Sequence, residues 1–538
     1  MQNIILGLFA LVSVGAAAAP GVDLARNAVS LNFYDEPKTL DPQKAVDHIA
    51  MTILGHAGEG LVRLDPANRP VAATAASWDI VDGTEYRFKI RDNARWSDGR
   101  PVVAADFVYG WQRAADPKTG SPYAYLFHLV KNGRAVADGK APTAALGEKA
   151  LDDHTLAVTL ERPTDYFLCL LSMPTFQPAR RDVVEKFGAT YAADSDKMIS
   201  NGPFVVAAWT HGAALLLKKN DVYWNKADVR LDEISMPEVV RDKGEEFARF
   251  REGKFSLTWS LTKEQLPAAA KAKLPLRRYN YGTVWYLQLN TRRGVTANVH
   301  FRKALQLAMN REEFVRVVQG IPGSHAIHGI VPEYMPGVSK RYGDEYPLTF
   351  AEGQVNAAKE QLALAKKELG INFWPALRVL ASDNADTRRD MAYFQAYYQE
   401  TLGLTLNTQF FGMKERLERT AQGDFDIANS GWGPDYLDAM TFADLFTSWN
   451  KNNASGWASP AYDGLIQKAM AASGAKARLD AVSAAEHLLV AEAPVIPYFQ
   501  QARVYVQDPR LVGVVRRTVG ADPDFYYAKL MKPVASAK

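Results

Sequence analysis

The chain is 538 residues long, with 63 basic and 60 acidic residues, a formal net charge of +3, and 47% hydrophobic and 23% charged residues. That length exceeds what one hydrophobic core supports and predicts two or three domains, while the composition excludes a disordered chain and a multi-span membrane protein. Balanced charge with no long Lys/Arg block leaves no electrostatic case for nucleic acid or an anionic membrane surface as partner.

The first elements are an apolar run from Ile4 to Val14 and small residues from Gly15 to Ala19. Together they read as a secretory signal peptide over 1–19 with cleavage options near Ala18; the competing reading is a retained anchor helix. No cysteine near that point offers a lipid attachment, so a Gram-negative periplasm is expected. No later apolar run reaches the roughly 20 residues that cross a bilayer.

Short β-like runs follow at 29–34, 86–90, 155–160 and 284–290, interspersed with helical segments, which makes the class mixed α/β. Residues 94–125 combine a Trp-Ser-Asp-Gly turn with a helix whose face carries Phe107, Val108 and Trp111; alone, such aromatics read as packing. Cys169 is the single cysteine, so no intrachain disulfide or cysteine metal cluster is available, and it is expected to be a buried thiol. Apolar residues recurring at three and four predict helices over 298–318 and 350–369. His325 and His328 are spaced for a metal but lack further ligands nearby, so the Gly-rich stretch around them reads as a solvated loop. Residues 374–411 read as strand, polar loop, helix, Gly turn and strand, a βαβ unit. The segment 425–443 begins as a strand, turns at Gly-Trp-Gly-Pro and presents Asp435.

The common catalytic and phosphate-binding signatures are missing: no G-x-x-x-x-G-K-[ST], H-E-x-x-H, G-x-S-x-G or G-x-G-x-x-G occurs. No cofactor is called for. A secreted hydrolase stays open as a competing class, yet no nucleophile, base and orienter set can be nominated for it.

Seven words occur in order: EPKTLDPQKA (36–45), WSDGRPVVAADFVYGWQR (96–113), ALDDHTLAVTLERPTDYF (150–167), SNGPFVV (200–206), NVHFRKALQLAMNRE (298–312), FDIANSGWGPDY (425–436) and APVIPYFQQARVY (493–505). As a set they resemble the periplasmic oligopeptide-binding proteins of ABC transporters, over essentially the whole chain after residue 28. The resemblance implies a two-lobed periplasmic-binding-protein fold of the large peptide-binding class. Lobe I would comprise 20–62, 184–282 and 503–538, an inserted subdomain 63–183 and lobe II 283–502. It also implies a monomer that is not an enzyme, engulfs a short peptide by hinge closure and delivers it to an inner-membrane ABC permease.

Residue by residue, the resemblance implies that a peptide adds as a strand along Asn429 to Gly433, including Gly431, and that Asp435 pairs with its α-ammonium. Trp432, Trp285, Tyr286 and Met413 would line pockets, sheet core being the competing reading for Trp285 and Tyr286, and Tyr34 and Glu36 would face them from the other lobe. Family members use basic side chains for the peptide's carboxyl end, but Asn429 and Thr387 stand at two such positions. Arg388, with Arg389, reads either as the substitute or as a solvated helix face. A murein peptide or a non-peptide solute such as haem, a metal chelate or another amine therefore remains an open ligand class.

Overall fold

A computed structural model describes residues 20–532; the expected signal peptide lies outside the described residues. Three sheets organise the chain. A five-stranded sheet joins Val22–Asp23 and Ala28–Ser30 to Glu233–Met236, Ala214–Lys219 and Phe204–Thr210. A four-stranded antiparallel sheet is built from Ala75–Val81, Glu85–Ile90, Thr155–Thr159 and Glu148–Asp152. The third has six strands in the order His325–Ala326, Val495–Tyr505, Arg277–Leu289, Ile427–Trp432, Leu377–Ser382, Leu406–Phe411. Mixed sheets with helices against them give the α/β, two-lobed class.

The βαβ reading of 374–411 matches what forms. Leu377–Ser382 and Leu406–Phe411 pair in parallel, joined by the helix Ala385–Leu402. Asn384 caps that helix, its Oδ1 accepting from Thr387 N–H at 2.9 Å, and Gly403 ends it at φ +66°, where a side chain would be strained. The helix expected over 298–318 is broken. It runs Val299–Ala308, then Asn310 caps a new start at Arg311 by accepting from Glu313 N–H, and a π-turn closes at Val315–Gln319. An asparagine inside a helical pattern offers the backbone a local alternative, which periodicity does not register. The second helix begins later than expected, at Val355, and ends at Leu369 before left-handed Gly370. Cys169 is half-buried, and burial pushes its thiol up to about 11.

The long strands Arg277–Leu289 and Val495–Tyr505 pair with each other along both ends, and the ladder breaks between Asn280 and Val284. Gly282 sits in that break at φ +88°, where a Cβ would run into Thr518 and Tyr334. One apolar cluster surrounds the five-stranded sheet and another, with Leu287, Leu305, Phe394 and Tyr498, lies behind the six-stranded one. The largest cluster unites the four-stranded region, through Phe88, Trp111 and Phe176, with Tyr286, Met440, Phe446 and Leu489 from beyond residue 283. The four-stranded region therefore shares a core with the region that carries the site.

Candidate functional site

The site is built on an interrupted strand. Ile427–Trp432 pairs antiparallel with Arg277–Leu289 along its whole length, from Leu289↔Ile427 to Val284↔Trp432. Its other neighbour, Leu377–Ser382, pairs only at Val379↔Ile427 and Leu380↔Ala428. Asn290 N–H donates to the Asp426 carbonyl, so main-chain alternation turns the N–H and C=O of 427, 429 and 431 toward the side where the neighbour stops. The last parallel bridge uses the Asn429 amide. The Asn429 carbonyl accepts from Arg416 Nη1 at 3.4 Å. Beyond it, among the described residues, Gly431 has no main-chain partner on that edge, and neither does the N–H of Gly433.

Both glycines are exposed, and the absence of a side chain lets another backbone approach closely. Gly431 lies over the Trp285 indole, whose Cδ2 would be 3.0 Å from an added Cβ. Trp285 is half-buried, stacks on Phe499 with centroids 6.3 Å apart, and donates from Nε1 to Gln501 at 3.1 Å. Tyr286 points to the opposite face, as successive strand residues must, and is core at 4% exposure, packed edge-on against Phe446. The two aromatics expected to line one cleft are thus divided between two faces, and Tyr286 belongs to the packed interior. Asn429 is also buried; its Oδ1 accepts from the Tyr498 hydroxyl at 2.9 Å.

After the strand, the Gly-Trp-Gly-Pro turn carries Asp435 to Tyr123 and Tyr125. Tyr123 donates to its Oδ1 at 3.4 Å and Tyr125 to its Oδ2 at 3.2 Å, while the Asp435 amide donates to Thr441. No cation pairs with this carboxylate among the described residues. Burial pushes its pKa up to about 6 against the weaker opposing effect of the two phenols. Beside it, the buried Nε1 of Trp432 finds no hydrogen-bond partner. A desolvated carboxylate without a counter-ion, an unused indole donor and an unpaired strand edge follow one another along residues 431–435, a set of groups suited to an extended ligand bearing a cation.

Other expected residues are elsewhere or otherwise engaged. Tyr34 donates to or accepts from His48 Nδ1 at 3.0 Å and stands edge-on to Trp259, in a junction cluster where Arg503 covers the Tyr281 ring at 3.3 Å. Burial lowers His48 to about 4 there. Glu36 is consumed by the hairpin of the five-stranded sheet, accepting from Trp209 Nε1, His211 and Gly212 N–H. It ties a loop down and contacts nothing in 429–435. Arg388 is exposed and paired with Asp383 at 2.7 Å over the Phe410 ring, so it fits the helix-face reading. Met413 is 62% exposed at a helix start, with its Sδ 3.5 Å from Arg416 Nη2. His328 pairs with Glu352 at 2.6 Å, and no cluster of His, Cys, Asp and Glu able to hold a metal exists among the described residues.

Three contributors escaped the sequence reading. Tyr123 and Tyr125 stand in SPYAY, an aromatic doublet that looks like packing until the fold brings Asp435 to it. Arg416 stands in MKERLERTA, where its charge is indistinguishable from its solvated neighbours.

The chain matches the family described as bacterial extracellular solute-binding proteins, family 5 Middle, over residues 69–454. It is 31% identical over 499 residues to the dipeptide-binding protein DppE of Bacillus subtilis, covering 91% of this chain and 90% of that protein. A probable deoxycholate-binding periplasmic protein of Escherichia coli, YgiS, is 32% identical over 489 residues, with 90% and 89% covered. Among solved structures, Listeria monocytogenes OppA bound to peptide superposes with a TM-score of 0.81 at 31% identity, covering 94% of this chain and 99% of that one.

Proposed function

The chain belongs to the bacterial extracellular solute-binding proteins, family 5, and on that premise we propose that it is a transport receptor for short peptides. It is exported to the periplasm through a cleaved signal peptide, acts as a monomer and hands its cargo to an inner-membrane ABC permease without chemical change. The peptide lies as an added strand against Gly431 and Gly433, so main-chain hydrogen bonds supply affinity that is indifferent to sequence. Its α-ammonium meets Asp435, and Trp432, Trp285 and Met413 border the side-chain space. Domain boundaries near 62, 183, 282 and 502 fit this reading, since they leave the paired strands Arg277–Leu289 and Val495–Tyr505 as the crossing between lobes.

The observation that supports this reading most is Asp435: a half-buried carboxylate with two phenolic donors and no cation. Calorimetric titration with trialanine and N-acetyl-trialanine tests it. Wild type should lose about tenfold to a hundredfold in affinity for the acetylated peptide, and Asp435→Asn should bind both at the weaker level. Equal affinity for the two peptides in wild type would remove Asp435 from amine recognition. A second reading, a non-peptide anionic solute such as a bile acid, draws on the likeness to YgiS; a receptor that binds deoxycholate and ignores trialanine would establish it.

A further inference from the structure

The turn Lys263–Gln265 precedes the crossing strand Arg277–Leu289, and its two charged side chains pair with residues that follow that strand. Lys263 Nζ donates to the Val317 carbonyl at 2.8 Å, and Glu264 lies 3.8 Å from Arg389. Lys243 extends the row, 3.8 Å from Asp386, which also takes Arg389 at 3.2 Å. Lys243, Asp386, Arg389 and Glu264 thus alternate in charge across the junction.

Each side is braced within its own part of the chain. Thr262 N–H donates to Gln265 Oε1 at 2.8 Å and Gln265 Nε2 to the Lys243 carbonyl at 2.7 Å, which ties the turn to the helix Lys243–Arg251. Opposite, Gln319 Nε2 donates to the buried Asp390 at 2.8 Å, joining the π-turn Val315–Gln319 to the helix Ala385–Leu402. Gly320 ends the π-turn at φ +58°, and a Cβ there would lie 2.8 Å from Lys263 Cε, so bare backbone makes the slot that holds the lysine stem. The ammonium then meets one of the last carbonyls of the turn, the end where a helix dipole favours a cation. Ile321 follows, packed against the small apolar cluster of Phe247, Leu261, Ala269, Val504 and Val506.

We propose that the turn Lys263–Gln265 is a latch that holds the two lobes closed over bound cargo and sets how slowly the cargo leaves. This rests on the peptide-receptor reading and on the lobe boundaries that go with it. Lobes turning about the paired strands Arg277–Leu289 and Val495–Tyr505 make or break the whole set together, and contacts made in one of two arrangements favour it by their own free energy. The latch acts without touching the ligand, so it lengthens residence and leaves the choice of cargo to the strand edge. Arg389 gains a role of its own as the lobe II end of the charge row. Exposed ion pairs and a cation at a helix end are individually weak and screened by salt, which suits a closure that must open again.

Lys263→Met keeps the stem and removes the charge, and Glu264→Gln removes the anion that faces Arg389. Lys263 is half-buried and Glu264 exposed, so neither change opens a core. Stopped-flow mixing with trialanine, read by the protein's own tryptophan emission, gives both rates. Release should be about threefold to tenfold faster from Lys263→Met and about twofold to threefold faster from Glu264→Gln, with association changed less than about twofold. Added salt should speed release from wild type more than from Lys263→Met. Without ligand, small-angle X-ray scattering should give a larger radius of gyration for Lys263→Met than for wild type. Release from Lys263→Met as slow as from wild type, or slower, would overturn the proposal. Wild type that does not bind trialanine fails the receptor reading instead; scattering then decides, and identical curves from the two ligand-free proteins would overturn the latch.

Discussion

Asp435 couples ligand recognition to stability with opposite signs. Its carboxyl has an ordinary value of 3.8 and is raised to about 6 in the folded, ligand-free chain. The native state then holds a proton that the unfolded chain has already released between those values. Stability is therefore lost as pH rises through that window, and the cost is complete above about 6. Ligand affinity runs the other way, because the α-ammonium needs the ionised form: full above pH 6, falling by about tenfold per unit below it. Asp435→Asn should thus raise ligand-free stability at pH 7.5 by about 1–2 kcal/mol while weakening binding, measured by denaturant unfolding alongside titration. A variant less stable than wild type would show that the carboxylate is structural. Asp435 was singled out through the family resemblance of FDIANSGWGPDY, since by itself a carboxylate after a Gly-Trp-Gly-Pro turn reads equally as a turn or cap residue. Tyr286 stayed undecided between cleft wall and sheet core because strand alternation assigns faces only once register is known, and Arg416 was invisible because burial of one arginine among several is decided by tertiary contacts.

The element that matters is the Ile427–Trp432 strand, and its property is incompleteness. Two strands flank it as far as Ala428, and one alone after that. If the missing neighbour is a peptide, removing one of its N–H groups should matter more than changing the side chain on the same residue. N-methylation of the trialanine amide that faces the Gly431 carbonyl should weaken binding by about tenfold, while replacing the alanine there by valine should change it less than threefold. Equal effects would point to side-chain recognition instead. Local signals identified neighbouring elements well: the Asn384 cap and left-handed Gly403 bracket the helix expected between a polar loop and a Gly turn. The break at Asn310 was not visible, since both pieces keep the same apolar face against the sheet.

For the whole molecule, a discontinuous chain path as proposed, with the paired strands Arg277–Leu289 and Val495–Tyr505 as the crossing, would explain why no flexible spacer marks a boundary. Family words carried the two-lobed fold class; periodicity alone gave only α/β. The sequence offered no hint that the inserted segment packs against the site, where Tyr166 stacks on Tyr436 at 5.1 Å and Arg478 reaches Asp438 at 2.6 Å. Tyr123 and Tyr125 of the same segment hydrogen-bond the Asp435 carboxylate, so the proposed amine recognition would depend on the approach of separate parts of the chain. Native mass spectrometry of protein released from the periplasm without denaturation addresses the central claim most directly, because ligands enclosed between lobes dissociate slowly. A series of bound masses fitting short peptides is expected on wild type, with their loss in Asp435→Asn. A single non-peptide mass, or identical spectra from the two proteins, would contradict it.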